Sequence, residues 1–452
     1  MNVRDSEAVA ALLDAAGHIR ASGEADAELV IVNSCTVRDM AERKAIGKCG
    51  NLTAAKEGRG RQTVATNVKI VGLMGCAVKR MGEQVFKVLP DLDFAVGPRR
   101  FGMIPHLVER CMKGESRILE LPDDDEVPAG LDAHPDTARA GTSSVFQSYV
   151  TVLLGCDNRC SYCIVPDVRG HEYSRPAREI LAEVRALAKG GVKEVCLLGQ
   201  SVLRYGMRNK AWTDDDPPSP GGYSEPFPRL LEGLQSIAGL ERIRFTSAHP
   251  KGCTEELVRA YRTFPKVCRH LHLPVQSGSD KVLLEMGRHY TRAEYLDAVK
   301  RLHDFDPEFS VTSDVIVGYP GETESDFEQT RSLMEEAGFD NAFVFKYSPR
   351  PGTRSALLPD DVPTAEKERR NQVLLADQEI RGRRRNERLV GSLRKVLVEG
   401  ASIRNPRRWS GRDSGNRIVV FEPSGKIVPG DLVDVRITDA HPQTLIGEIE
   451  NA

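Results

Sequence analysis

Gly155-Cys-Asp-Asn-Arg-Cys-Ser-Tyr-Cys163 is the stretch that decides the fold of this 452-residue chain. Its three cysteines have the spacing CxxxCxxC, and they directly follow a short apolar run that is predicted to be a strand. Three thiolates on one short loop can hold three corners of a 4Fe-4S cluster and leave its fourth iron open. A structural zinc site needs four ligands, and this loop contains no fourth cysteine or histidine. The spacing therefore favours a catalytic iron–sulfur cluster on Cys156, Cys160 and Cys163 over zinc binding or simple packing.

Strand-length apolar runs and helical periodicities alternate after this loop, which is typical of a parallel α/β structure. About six successive βα units favour a partial (β/α)6 barrel with its functional residues at the C-terminal ends of the strands. A polar segment, 207–228, interrupts the alternation and is expected to be an exposed insertion. The predicted strands are Tyr149–Leu154, Glu194–Leu198, Arg242–Thr246, His270–Val275, Ser310–Val317 and Asn341–Tyr347, and the predicted helices are Ala177–Ala188, Glu255–Thr263, Arg292–Asp304 and Glu324–Ala337.

The first hundred residues also alternate between helix and strand, which predicts a small parallel α/β domain. Its first two strands are predicted at Glu28–Asn33 and Val68–Met74. Cys35 and Cys76 come just after these strands. Open α/β sheets bind their ligands at the C-terminal ends of the strands, so both cysteines are candidate binding residues.

Composition divides the chain into four parts: an N-terminal domain over 1–115, a linker over 116–144, the barrel over 145–380 and an all-β module over 381–450. The linker contains the acidic run Asp123-Asp-Asp-Glu126. The start of the last part is basic, because residues 381–412 hold eleven lysines and arginines against two acidic residues. Such a segment attracts nucleic-acid phosphates without regard to sequence.

The other cysteines are expected to pack as small hydrophobic residues. Disulfide frameworks belong mainly to small secreted domains, and this long chain shows no secretory leader and no apolar run long enough to cross a bilayer. We therefore predict a cytoplasmic protein without a membrane partner. The expected packing residues are Cys49, Cys111, Cys196, Cys253 and Cys268.

The motifs around the cysteine loop are similar to those of the radical S-adenosylmethionine (SAM) methylthiotransferase family, and the resemblance extends over nearly the whole chain. In this family the open iron of the cluster binds SAM, and an electron from the cluster cleaves SAM to a 5′-deoxyadenosyl radical. The resemblance implies an N-terminal α/β methylthiotransferase domain, a radical SAM barrel and a C-terminal RNA-binding β-barrel called TRAM. The matching motifs are Tyr162, Pro166, Arg169-Gly170, Ser174-Arg-Pro176, Ser247-Ala-His-Pro250, His272-Leu-Pro-Val-Gln-Ser-Gly-Ser-Asp280, Ser313-Asp-Val-Ile-Val-Gly-Tyr-Pro-Gly-Glu-Thr323 and Gly411-Arg-Asp-Ser-Gly-Asn-Arg-Ile-Val-Val-Phe421.

The resemblance also implies ligands. Cys35 and Cys76 match two of the three ligands of the family's auxiliary 4Fe-4S cluster, which takes part in sulfur insertion. The third family ligand belongs to a Gly-Cys-x-Met-Asn pattern, and here Met1-Asn2 places that cysteine two positions before residue 1. SAM contacts are expected from residues near the C-terminal ends of the barrel strands, namely Gln200, Ser247, His249, Gln276, Ser313 and Arg175.

Three branches of the family compete. Leu197-Leu-Gly-Gln-Ser-Val202 is similar to the branch that modifies N6-isopentenyladenosine at position 37 of tRNA, although Ser201 stands where asparagine is usual. That branch predicts insertion of sulfur at C2 of the adenine, methylation by a further SAM, and a tRNA anticodon stem-loop as partner of a monomeric enzyme. The alternatives are methylthiolation of threonylcarbamoyladenosine-37, methylthiolation of an aspartate in a ribosomal protein, and an RNA-binding relative without catalysis.

Overall fold

A computed structural model of the chain describes residues 1–37, 39–58, 67–122, 146–402 and 405–450. The acidic run at 123–126 and the rest of the predicted linker beyond residue 122 lie outside the described residues. The chain divides into two compact units. The first unit comprises Met1–Ala140, Leu154–Arg159 and Cys163–Tyr173, and the second comprises Gly141–Leu153, Cys160–Tyr162 and Ser174–Ala452.

The described residues form α-helices and β-strands that alternate along most of the chain. The helices are α1 Asn2–Ala15, α2 Asp39–Lys56, α3 Cys76–Met81, α4 Val85–Val88, α5 Ile104–Met112, α6 Val165–Arg169, α7 Ala177–Lys189, α8 Pro226–Gln235, α9 Glu255–Thr263, α10 Asp280–Glu285, α11 Arg292–Phe305, α12 Glu324–Ala337 and α13 Thr364–Glu387. The strands are β1 Leu29–Ser34, β2 Ile70–Gly75, β3 Phe94–Val96, β4 Ile118–Glu120, β5 Gln147–Thr151, β6 Leu153–Leu154, β7 Tyr173–Ser174, β8 Glu194–Leu198, β9 Arg242–Phe245, β10 His270–His272, β11 Ser310–Val317, β12 Asn341–Lys346, β13 Leu393–Ala401, β14 Trp409–Arg412, β15 Ile418–Phe421, β16 Leu432–Ala440 and β17 Thr444–Ile449. No helix among these residues is both long and apolar enough to cross a membrane.

The first unit is built on a parallel sheet with the strand order β1-β2-β3-β4. Two hydrophobic clusters cover its faces, one that includes residues of α2 and one that includes residues of α1 and α5. Glycine at position 72 is required because a Cβ atom there would lie 2.2 Å from the ring of Phe94. The sheet continues past the predicted domain boundary at 115, since Ile118–Glu120 pairs with β3 as its fourth strand.

The second unit contains the predicted barrel. Six parallel strands form two three-stranded sheets, β5-β8-β9 and β10-β11-β12. Among the described residues, one isolated bridge joins the two sheets, between Ile243 of β9 and Val267 just before β10. Helices α7, α8, α9, α11 and α12 pack their apolar faces on these strands in one large core. This arrangement confirms the partial (β/α)6 barrel and the α/β fold class.

The segment 207–228 differs from the expectation of an exposed insertion. Ala211 and Tyr223 are buried in the barrel core, and Trp212 packs against it. The indole N–H of Trp212 donates to the backbone oxygen of Pro226 at 3.2 Å. Scattered aromatic residues therefore hold a polar segment on the barrel, although its composition is that of a loop.

Strands β13 to β17 form a closed barrel with the order β13-β14-β15-β17-β16, which confirms the predicted C-terminal β-barrel. The barrel begins at Leu393, because the start of the predicted module at 381 lies within α13. Phe421 is 1% exposed in its core, whereas Trp409 is half-buried. We call this module the small barrel.

The small barrel docks on the N-terminal ends of all six strands of the partial (β/α)6 barrel, which we call the large barrel. Guanidinium groups supply the main contacts: Arg242 donates to the backbone oxygen of Arg412 at 2.6 Å, and Arg244 donates to that of Asp413 at 2.6 Å. The remaining strands are contacted just before their first residues, by Gly430 at Phe146, Asp431 at Lys193, Ser414 at Arg269, Arg394 at Glu308 and Arg417 at Asp340. The C-terminal ends of the strands, where the site is expected, are thus opposite the small barrel.

Candidate functional site

The cysteine loop begins at a glycine that no other residue can replace without strain. Gly155 has φ of +72°, and a Cβ atom there would lie 2.0 Å from the backbone oxygen of His171. The next residue, Cys156, donates its N–H to the backbone oxygen of Gly170 at 3.1 Å. The loop therefore lies directly against the segment that follows Cys163.

The three cysteines of this loop supply a donor set that fits a 4Fe-4S cluster. Cys156 and Cys160 are each 9% exposed, Cys163 is half-buried, and none of them forms a disulfide in the part of the chain that is described. The described residues contain no three cysteine, histidine or acidic side chains around one point, as a single ion would require. A cluster attaches each thiolate to a different iron, so it does not require such a group.

The middle of the loop is fixed within the second unit. Ser161 donates its N–H to the backbone oxygen of Met286 at 2.9 Å, and its hydroxyl lies 2.8 Å from the hydroxyl of Tyr319. Tyr162 packs against an apolar cluster that contains Met286 and Tyr319. Tyr319 belongs to the Gly318–Glu322 motif, which therefore holds the cysteine loop as well as ending a barrel strand.

Arg288 lies beside Cys160 and was not found by sequence reasoning. Its Nη1 atom is 3.5 Å from the Cys160 sulfur, its Nη2 donates to the backbone oxygen of Pro274 at 3.0 Å, and its Nε donates to the hydroxyl of Tyr290 at 3.0 Å. The nearby hydroxyl and thiol groups, when ionised, favour the cation and raise the pKa of Arg288 well above its usual value despite burial. A fixed positive charge next to a cysteine sulfur favours the thiolate that iron requires.

Four of the six predicted SAM-contact residues, Gln200, Ser247, His249 and Gln276, lie just past the C-terminal ends of β8, β9 and β10. Ser247 and Gln276 both have positive φ, +62° and +72°, which is unusual for residues with a side chain and typical of functional loops. The Oε1 atom of Gln200 is buried and has no hydrogen-bond partner among the described residues. A buried acceptor of this kind is suited to a donor group on a ligand.

His249 is the fourth of these residues, and it is held as a neutral ring. Burial and the nearby Arg288 guanidinium lower the pKa of His249 to about 3. Its ring meets the Tyr290 ring edge to face with centroids 5.4 Å apart, and its Nδ1 accepts from the N–H of Lys251 at 3.4 Å. Because Nδ1 accepts this bond, the proton of the neutral ring lies on Nε2, so the imidazole can donate one hydrogen bond without adding charge.

The other two predicted residues are saturated by partners within the protein. Arg175 is 3% exposed, forms an ion pair with Glu183 at 2.7 Å and donates to the backbone oxygen of Thr151 at 2.8 Å. The hydroxyl of Ser313 accepts from the N–H of Val275 at 3.0 Å and donates to the backbone oxygen of Leu273 at 2.9 Å. Both residues shape the strand ends, and their contact with SAM stays a prediction.

Cys35 and Cys76 follow paired strands in the first unit. Ser34 and Gly75 are partners in the parallel ladder, so the two cysteines leave neighbouring strands at the same sheet edge. Gly75 has φ of +108°, and a Cβ atom there would lie 2.3 Å from the backbone oxygen of Ser34. Cys76 is 4% exposed, and burial raises the pKa of its thiol, which Arg169 partly opposes. The structure thus brings the two predicted auxiliary ligands to one edge.

The expected packing cysteines are a separate group. Cys49, Cys253 and Cys268 are buried, as expected, while Cys111 and Cys196 are half-buried.

The basic segment 381–412 is less available to RNA than its composition indicates. Most of its charges are paired with acidic side chains of the same unit, including Arg385 with Asp340 at 3.1 Å and Arg394 with Glu308 at 2.7 Å. Among its described residues, those that are exposed and have no acidic partner are Arg383, Arg388 and Arg407. These three arginines are therefore the candidate phosphate contacts.

Comparison with protein families divides the chain into three known parts. Residues 1–97 match a family described as uncharacterized protein family UPF0004, residues 150–334 match the radical SAM superfamily, and residues 387–449 match the TRAM domain.

Curated relatives are similar over almost the full length. The tRNA-2-methylthio-N(6)-dimethylallyladenosine synthase of Geobacter metallireducens is 43% identical over 99% of this chain and 96% of its own. The enzyme of the same name from Akkermansia muciniphila is 40% identical over 99% of this chain and 96% of its own.

Among solved structures, the radical SAM methyltransferase TsrM from Kitasatospora setae, with tryptophan and a SAM analogue bound, matches with a TM-score of 0.52 at 14% identity. The match covers 78% of this chain and 68% of that one, and at this identity it concerns the fold alone.

Proposed function

Because this chain belongs to the radical SAM methylthiotransferase family of the tRNA-2-methylthio-N6-dimethylallyladenosine synthases, we propose that it methylthiolates N6-isopentenyladenosine at position 37 of tRNA. The observation that carries this proposal is identity of about 40% along the whole chain to relatives of that name. Its substrate is the isopentenylated adenine, into which sulfur is inserted at C2 and then methylated by a further SAM.

Cys156, Cys160 and Cys163 would hold the cluster that cleaves SAM. When bound, the cluster supplies one electron to SAM, and SAM supplies the radical that attacks an unreactive carbon. The chain's own residues prepare this site. Arg288 places a positive charge at Cys160, and the Ser161 contacts with Met286 and Tyr319 keep the loop in one position.

The SAM contacts are proposed at the C-terminal ends of the strands. Gln200 offers a buried acceptor for the amino group of SAM, and neutral His249 offers a hydrogen bond without charge. Ser247 and Gln276, which both have positive φ, are proposed as further SAM contacts at these strand ends. Arg175 and Ser313 are proposed to hold the strand ends on which these groups depend.

Cys35 and Cys76 are proposed as ligands of the auxiliary 4Fe-4S cluster. Two thiols on neighbouring parallel strands, just past the end of the ladder, provide two of the ligands that such a cluster needs. This cluster would take part in the insertion of sulfur into the adenine.

The tRNA partner is proposed to contact Arg383 and Arg388 at the end of α13 and Arg407 in the small barrel, and to present its anticodon stem-loop to the large barrel. We propose that the enzyme acts on tRNA in the cytoplasm and that it acts as a monomer. The three alternatives, modification of threonylcarbamoyladenosine, modification of a ribosomal aspartate and RNA binding without catalysis, are not favoured by the names of the relatives.

Complementation tests this function directly. Cells that lack the gene are supplied with the wild-type chain or with Cys156→Ala, and their tRNA nucleosides are measured by mass spectrometry. We expect 2-methylthio-N6-isopentenyladenosine with the wild type, and only the unthiolated nucleoside with Cys156→Ala. Cys111→Ser is the matched control, because this half-buried cysteine lies outside both ligand sets, and it should retain the product. Absence of the methylthiolated nucleoside with the wild-type chain would exclude the proposed reaction.

A further inference from the structure

Arg169, the last residue of α6, is buried in the first unit with its guanidinium against the sulfur of Cys76. The Nε atom donates to that sulfur at 3.2 Å. The Nη2 atom donates to the Oδ2 of Asp5 at 2.9 Å and lies 3.4 Å from the Oδ1 of Asn2. The side chains of Arg169 and Asp5 are only 6% and 5% exposed. One planar cation thus joins the cysteine to the start of α1.

Helix α6 also covers the same cysteine with apolar side chains. Ile164 and Val168 form a buried cluster with Cys76, in which each residue is at most 5% exposed. The helix begins at Val165, two residues after Cys163. The segment that leaves the SAM-cluster loop therefore ends on a ligand of the other proposed cluster, within one compact unit.

A buried arginine is costly unless its charge is compensated by charged or strongly polar partners. The Asp5 carboxylate compensates the charge of the Arg169 guanidinium. Its Nε–H still needs an acceptor, and a neutral packed thiol at Cys76 would be a weak one. Hydrogen bonds from a cation to a thiolate are short and strong, and hydrogen bonds to cluster sulfurs shift the reduction potential of iron–sulfur clusters. The geometry is thus suited to a ligand sulfur that carries negative charge.

We infer that Arg169 is a positioning residue for the auxiliary cluster: it orients the Cys76 sulfur and raises the reduction potential of the cluster through its hydrogen bond. This inference rests on the proposed auxiliary cluster at Cys35 and Cys76. The inference assigns a role to each residue of the Arg169-Gly170 motif. The Arg169 guanidinium contacts the sulfur of Cys76, and the backbone oxygen of Gly170 accepts from the N–H of Cys156.

The test measures the reduction potential of the auxiliary cluster in a chain that cannot hold the SAM-cleaving cluster. The parent is the full chain with Cys156, Cys160 and Cys163 changed to alanine, reconstituted with iron and sulfide under anaerobic conditions. Iron content and an EPR-monitored redox titration are compared between this parent and the same chain with Arg169→Met or Arg169→Lys. We expect a more negative potential with Arg169→Met and a smaller shift with Arg169→Lys, because lysine keeps the charge but lacks the planar donor geometry.

Lys56→Met is the matched control. Lys56 pairs with the buried Asp93 at 2.7 Å in the same unit, but Asp93 precedes β3 at the opposite edge of the sheet from the cysteines. This variant removes a half-buried cation, whose side chain is 22% exposed, and should leave the potential unchanged. Asp5→Asn provides a shift of opposite sign, since it frees the guanidinium from its carboxylate and should make the potential more positive.

The outcomes separate the two claims. A parent without iron would overturn the auxiliary cluster itself, and the inference with it. An iron-loaded parent whose potential is the same with Arg169→Met overturns the inference alone. If Arg169→Met fails to retain iron, Asp5→Asn decides, because an unchanged potential in that variant contradicts a contribution from Arg169.

Discussion

At the scale of single residues, the site depends on groups whose partners are distant in sequence. Arg169 contacts Cys76 across 93 positions, and Arg288 contacts Cys160 across 128 positions. In each case a buried guanidinium lies against a sulfur that is a proposed iron ligand. Each of the two predicted clusters therefore has a fixed positive charge beside one buried ligand sulfur, which favours the thiolate form of that cysteine.

His249 gives the residue scale its pH prediction. Its pKa in the folded chain is about 3, below the usual 6.5 of an unfolded histidine, so the unfolded chain binds the proton first. The stability that its neutral form contributes is complete above about pH 6.5 and is lost as pH falls towards 3. Urea unfolding of the iron-free chain should show a shallower pH dependence between these values with His249→Gln than with wild type, by at most about 1.4 kcal/mol per pH unit. Parallel curves for the two chains would contradict the neutral ring.

At the scale of elements, α13 fastens the strand-end motif Gly318–Glu322. Glu322, whose side chain is fully buried, accepts from the N–H of Gly318 at 2.5 Å and pairs with Arg370 of α13 at 2.7 Å. Arg370→Met leaves this carboxylate without a cation, and we expect a loss of about 3–5 kcal/mol in the free energy of unfolding. The neighbouring Arg369 forms exposed pairs, so Arg369→Met should cost less than about 1 kcal/mol. Equal losses in urea denaturation would show that the buried pair has no special role.

Elements with a strong apolar period were predictable from the sequence, and short or aromatic-anchored ones were not. The strand Glu194–Leu198 was predicted with the observed bounds, and α11 ends one residue beyond its predicted end. By contrast, β4 has three residues, too few for a period to appear, and only tertiary pairing with β3 reveals it. The proximity of Cys35 and Cys76 could be predicted because the ends of adjacent parallel strands lie side by side. The contacts of Arg169 and Arg288 could not be predicted, since they form only when segments distant in sequence pack together.

At the scale of the whole molecule, the docking of the small barrel decides which basic residues remain for RNA. Basic residues that look like an RNA-binding surface in the sequence instead form ion pairs within the protein. Arg394 of the small barrel pairs with Glu308 of the large barrel, and Arg385 of α13 pairs with Asp340.

Salt dependence distinguishes the two kinds of arginine. The triple variant Arg383→Gln, Arg388→Gln, Arg407→Gln should bind tRNA more weakly, and the slope of log K against log salt should fall by roughly one for each phosphate that is no longer neutralised. Arg436 is also exposed in the small barrel, but it pairs with Glu450 at 2.6 Å, so Arg436→Gln should leave the slope almost unchanged. A triple variant with the wild-type slope would place the RNA on another surface.

The position of the small barrel beneath the six strands sets a minimum length for the substrate. The longest of these strands has eight residues, which extend over about 26 Å between the docked end and the end that carries Gln276 and His249. An RNA held at the small barrel must pass this height along the outer wall before its modified base reaches the other end. With the RNA contacts proposed above, a free nucleoside is too short to engage both ends, so we expect the intact tRNA to be turned over more efficiently than the isolated nucleoside.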